Sequence, residues 1–166
     1  EEQWRGKVFM PNPARPVTTF AFISMFMKNS DAMFEAYEDL YGKPPETQNE
    51  TAGELFVRKL VENDVIIVNS SDEVAEAIAA PGNPSGNLGL MVSSKLRLRN
   101  IGYDIYVVDD MAPFDGFYSP INIMMAGGGK NVNASKLYIR WIFGEADGQG
   151  EGYKPYLQNG AWSLRT

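Results

Sequence analysis

Arg15, Thr18 and Thr19 are the residues whose types and spacing best suit binding chemistry, because they stand between a proline-punctuated turn (Pro11, Pro13, Pro16) and an apolar run from Phe20 to Met27. With residues 8–10 as a strand and Thr18 or Thr19 as the cap of the following helix, free backbone N–H groups would point outward beside two hydroxyls and a guanidinium. No acid lies nearby, so the positive end of the helix dipole would favour an anion there. A plain threonine cap beside a solvated arginine uses the same residues, and both readings stand at this point. A second helix start has the opposite character. Ser70-x-x-Glu73 has the pattern of a capping box, and Asp72 and Glu73 would repel an anion from that end. Asn69 and Ser71 remain as neutral hydrogen-bonding groups, and Ser93 and Ser94 stand at the carboxyl end of a later strand.

Other chemistries find less support. The 166 residues contain no histidine and no cysteine, which removes imidazole and thiolate catalysis, Cys/His zinc sites and histidine-ligated haem. Glu54, Asp72, Glu73 and Asp115 could in principle act as a glycosidase pair, but no two are matched by spacing and helix-face charges account for most of them. The chain therefore reads as a binding protein, not an enzyme, with no cofactor. Asp109, Asp110 and Asp115 lack the regular spacing of a calcium loop and read as solvated turn acids. The run Gly127–Lys130 lacks the leading glycine and the trailing hydroxyl of a phosphate-binding loop, and reads as a turn. A net charge of −6 argues against nucleic acid and anionic membrane surfaces as partners. The longest apolar run is far too short to cross a bilayer, and the opening EEQWRGK does not read as a signal peptide.

The elements that must position these groups alternate along the chain. Short β-branched or apolar runs at residues 8–10, 65–68, 88–92 and 103–108 read as strands, and residues 117–125 as a further extended segment. The run 65–68 has the composition of a strand buried on both faces. Helices are expected after Thr18, where the all-round apolar composition predicts burial, after Ser30, from near Asn49, after Ser70, and from Asn131 or Asn133 to Gly144. Gly89 sits where a close backbone approach is plausible. With 44% hydrophobic residues, one compact domain of class α/β is the expectation, with a mainly parallel central sheet and helices on both faces. Residues 1–144 would form that lobe. Residues 145–166 form a glycine-rich, acidic tail that Tyr153, Tyr156 and Trp162 either pin to the body or leave mobile.

These features resemble a family. Trp4, Gly6 and Lys7, the Pro11-Asn12-Pro13 loop before a threonine-rich helix start, Gly89, the turn Pro113-Phe114-Asp115-Gly116, and N-x-N-x-S-K-L-Y-x-x-W from Asn131 to Trp141 look like the second lobe of bacterial extracellular solute-binding proteins. Those are the receptors of ABC importers, in the branch with ferric-iron, thiamine and polyamine binders. The resemblance implies a two-lobed clamp, periplasmic or extracellular and membrane-anchored in some full-length forms, that presents a small solute to an ABC permease. By position it would turn Arg15, Thr18, Thr19, Asn69, Ser71, Ser93 and Ser94 toward the cleft. Ser93 and Ser94 replace the tyrosine pair of ferric-binding members, which points away from direct iron binding. The chain has about half the length that two such lobes need, so the amino-terminal lobe would be missing from it. Tyr118, Ile121, Ile123, Met124, Met125, Trp141 and Ile142 would then lack their usual cover, and a homodimer of the isolated lobe is the expected remedy. A ligand-sensing or interaction module that reuses the same lobe is the alternative.

Overall fold

A computed structural model describes residues 2–15, 17–82, 86–118, 122–145, 147 and 149–161. The chain divides into two units, Glu1–Tyr118 and Ser119–Thr166. The first has an α/β fold built on a three-stranded parallel sheet. Its strands are β1 (Val8–Pro11), β2 (Ile66–Val68) and β3 (Leu88–Gly89), in the order β2-β1-β3. Phe9 pairs with Ile66 on one side and Gly89 on the other, and Pro11 pairs with Val68. Helices α1 (Val17–Lys28), α2 (Ser30–Tyr41), α3 (Ala52–Glu62) and α4 (Ser71–Ala79) lie in this unit, and α5 (Val132–Phe143) in the second. With the nine-residue 3-10 helix Ser93–Ile101 they make six helices among the described residues, apart from two shorter 3-10 turns.

Alternation along β1 assigns the helices to opposite faces of the sheet. A Cβ on Gly89 would lie 2.6 Å from Val74 Cγ1 and 2.8 Å from Ile78 Cδ1, so α4 closes directly on the face that carries Phe9 and Gly89. This is the close approach that the glycine permits. Met10 points the other way. With Ile67, its partner in register, it lines an apolar cavity of about 120 Å³ together with Ile23 of α1 and Val57, Leu60 and Val61 of α3. Helix α1 packs on α3, and Phe26 stacks on Phe56 at 4.5 Å and on Phe114 at 5.5 Å. Gly53 allows the tightest of these contacts, since a Cβ there would lie 2.2 Å from the Phe26 carbonyl oxygen.

Several expectations from sequence need correction. Residues 103–108 form no strand. Asp104 N–H donates to the Ala79 carbonyl at 3.2 Å, and Ile105 is buried against Ala75 and Ala79, so the segment follows the end of α4. The neighbouring β3 is only two residues long and offers almost no edge on which to extend the sheet; Leu90 N–H still donates to the Phe9 carbonyl at 2.8 Å, but residues 90–92, expected to continue the strand, are not part of it. In residues 117–125, those described outside 119–121 are likewise irregular. The strand expected to be buried on both faces is instead an edge strand with Ile66 and Ile67 exposed, Ile67 to 47%. Helix α1 is not buried all round: Thr19 and Phe26 are buried, while Val17 is 81% exposed and Phe20 and Met27 are also open. Its cover comes mainly from α3, with α2 and the rings of Phe114 and Phe117 beside it.

The second unit contains α5 and the tail. Helix α5 starts after Asn131 and ends at Gly144, which has φ +73° and donates its N–H to the Trp141 carbonyl at 3.2 Å. None of its residues is buried. The tail folds back on its carboxyl end. Glu145 N–H donates to the Gln149 carbonyl at 2.8 Å, Tyr153 is buried, and Gly152 approaches Trp141 so closely that a Cβ would strike its ring. Trp162, the third aromatic residue expected to pin the tail, lies outside the described residues, as does Ile121.

Candidate functional site

Parallel strands bring their carboxyl ends to one edge of the sheet, and three loops leave that edge. The loop after β1 begins at Asn12, whose N–H donates to the Val68 carbonyl at 2.8 Å and ties it to the end of β2. Asn12 Oδ1 accepts from Ala14 N at 2.9 Å, and Arg15 N–H returns to the Asn12 carbonyl at 3.1 Å, so the turn holding the arginine is internally braced. The loop after β2 is Asn69-Ser70 leading into α4. The helices that follow β1 and β2 lie on opposite faces, and in a parallel sheet of order β2-β1-β3 the topological switch point falls between β1 and β3. Open α/β sheets bind ligands at such a switch point.

Each residue singled out in the sequence has a definite place around this edge. Arg15 is exposed, and its guanidinium forms no ion pair among the described residues. Thr18 and Thr19 are the second and third residues of α1, so neither is its cap; the cap position, residue 16, lies outside the described residues. Thr18 is exposed and Thr19 is buried, which leaves the Thr18 hydroxyl as the one at the surface. Asn69 is engaged: its N–H donates to Glu73 Oε2 at 3.0 Å and its amide nitrogen to both carboxylate oxygens at 3.3 Å. Ser70 accepts from Glu73 N–H at 3.2 Å, so the capping box is half formed, with Glu73 reaching past the serine to Asn69. Ser71 opens α4, half-buried. Ser93 and Ser94 start the 3-10 helix that follows β3.

Sequence reasoning passed over Lys95, whose role depends on tertiary contacts. It is only 9% exposed, and its ammonium donates to Asp72 Oδ1 at 2.5 Å. The pair joins the Ser93-Ser94 segment to the first turn of α4, so these serines and the Asn69–Ser71 loop are brought together. Asp72 remains largely exposed. A lysine so enclosed requires a carboxylate, because burial penalises its charged form. The signal available in the sequence was the placement of an acid in the first turn of a helix and a base just after a short strand. No family model, curated protein or solved structure matches this chain.

The carboxyl edge divides into two electrostatic halves. Beside α4, each charge has a partner: Lys95 with Asp72, Glu73 with the Asn69 donors. Beside α1, Arg15 stands with the Thr18 hydroxyl at a helix start that carries no acidic residue in its first turn. Two concavities flank α1, the apolar cavity described above and a groove lined by Phe20, Ala21, Ser24, Met25, Lys28, Asn29 and Phe117. Neither includes Arg15 or Thr18. Of the acids in the 109–115 turn, Asp115 serves the turn's backbone, its carboxylate accepting from Met111 N–H at 2.6 Å. Among the described residues no group of three acids is arranged to hold a metal, and no helix is long and apolar enough to cross a membrane.

Proposed function

We propose that this chain is a solute-binding lobe, the second half of a two-lobed receptor that delivers a small anionic solute to an ABC permease outside the cytoplasm. The observation that supports the reading is the carboxyl end of β1, beside the β1/β3 switch point, where an arginine without a carboxylate partner among the described residues begins the approach to an acid-free helix start. Arg15 would supply the charge-assisted hydrogen bonds, and Thr18 and the first N–H groups of α1 the neutral ones. Ser71 and Ser94 would line the opposite side. Asn69, committed to Glu73, would shape the rim and make no direct contact. One lobe supplies about half of such a clamp, so the affinity of this chain alone would be weak, in roughly the millimolar range for a single charge-assisted contact set.

Thermal unfolding of the full chain against inorganic phosphate, sulfate, small carboxylates and a set of neutral sugars tests the reading. A ligand that binds only the folded state raises Tm in proportion to ln(1 + [L]/Kd). At tens of millimolar, phosphate should raise Tm at constant ionic strength, and Arg15→Gln should abolish the rise. Equal shifts in the wild type and Arg15→Gln, or a shift with neutral solutes alone, would overturn it.

A further inference from the structure

We infer that the open edge of β2 receives a short, uncharged, extended peptide, one aliphatic side chain of which enters the apolar cavity beside that edge. The hydrogen-bonding groups of a strand face its two sides in alternation, and the Val68 carbonyl accepts from Asn12 N–H at 2.8 Å. Ile66 and Val68 therefore face β1, and the N–H and C=O of Ile67 face outward. The neighbouring donors are already committed: Val65 N–H goes to the Leu60 carbonyl at 3.3 Å, and Asn69 N–H to Glu73 Oε2 at 3.0 Å. Ile67 is left to present both a donor and an acceptor at this edge. Residues 65–68 contain no proline and no charge, and the register of 66–68 with β1 is unbroken by a bulge, so the usual guards of an edge strand are missing from them.

The cavity of about 120 Å³ lies on the face that Val65 and Ile67 share, and its lining is wholly apolar. Met10 in it is buried, whereas Val61 is 64% and Ile67 47% exposed, so it opens beside the β2 edge. An apolar cavity of about 150 Å³ holds benzene, so this one suits a single leucine or isoleucine side chain. In antiparallel pairing one partner residue exchanges both N–H···O bonds with Ile67, and its side chain shares the Ile67 face. The residue that satisfies the backbone is thus the one that stands over the cavity mouth. A free hydrocarbon would fill the cavity and leave the backbone groups unpaired, whereas strand addition uses both. Charge narrows the partner further. Asp64, just before β2, is bonded to Arg5 at 2.7 Å, and Glu62 at the end of α3 to Lys59 at 2.8 Å. With its bordering charges already paired, the edge offers a charged segment no complement. All of these groups belong to the first unit.

The probe is an acetylated, amidated Ser-Thr-Leu-Thr-Ser peptide, titrated into the isotope-labelled full chain and read by backbone amide chemical shifts. It should bind weakly and saturably at millimolar concentration, with the largest shifts at Ile66, Ile67 and Val68. Replacing its leucine by alanine should weaken binding about tenfold or more, since the cavity is then left unfilled. N-methylation of that leucine removes the N–H donated to the Ile67 carbonyl and should weaken binding about fivefold. Val61→Glu, at the exposed mouth of the cavity, should weaken it as much as the alanine peptide does; the peptide variants decide the question whatever that substitution does to the fold. No saturable shift, shifts centred elsewhere, or parent-like binding of either variant peptide would overturn the inference. So would an Ile67 amide protected from exchange in the free chain, or a dimer paired through β2, because the edge would then already be covered.

Discussion

At Thr51 the chain uses two hydrogen bonds to start a helix. Its hydroxyl accepts from Glu54 N–H at 3.3 Å and the Glu54 carboxylate accepts from Thr51 N–H at 2.7 Å, a complete capping box where the sequence reading had placed the start near Asn49. Thr51→Ala should cost about 1 kcal/mol in urea unfolding, the usual loss for a cap. Around it, three carboxyls are held below their ordinary range. The Arg58 guanidinium lowers Glu50, the Thr51 backbone N–H lowers Glu54, and hydrogen bonds from Lys59 and then Arg58 lower Glu62. A carboxyl that is more acidic folded than unfolded contributes its stability above the unfolded value near 4.5 and loses it as pH falls through the folded value. The Tm should therefore fall from about pH 5 downward. Arg58→Met should show a shallower fall over that window while losing some stability at neutral pH. Identical pH profiles for the two proteins would contradict this assignment.

Elements meet most closely at two glycines, and the atoms they face differ in how far they can yield. Gly53, in the first turn of α3, faces the backbone of α1, where an added Cβ would lie 2.2 Å from the Phe26 oxygen and 2.6 Å from its carbonyl carbon. Gly89 of β3 faces side-chain methyl groups of Val74 and Ile78. Side chains can rotate aside, whereas two helix backbones must separate. Gly53→Ala should cost about 2–3 kcal/mol despite alanine's better helix propensity, and Gly89→Ala about 1 kcal/mol, both read from denaturant midpoints. Equal costs would mean that α1 and α3 slide apart as easily as α4 repacks. The same contacts explain why α4 is the well-covered helix of the sheet: Val74 and Ala75 are fully buried beneath it, while α1 leaves Val17 and Phe20 in water.

The sequence by itself determined the α/β class, the helix following each of β1 and β2, the closeness demanded at Gly89 and the acid-free start of α1, because these are set by local composition, capping residues and hydrophobic period. Tertiary structure decided the rest. Residues 103–108 have strand composition, but a two-residue β3 gives them no ladder and α4 offers Ile105 a buried site instead. Residues 66–68 have the composition of a central strand, yet the order β2-β1-β3 leaves them at the edge. Lys95 gains its role only when Asp72, 23 residues earlier, folds against it. Strand order, edge position and long-range ion pairs depend on which segments reach each other first with complementary surfaces, and no local pattern encodes that competition.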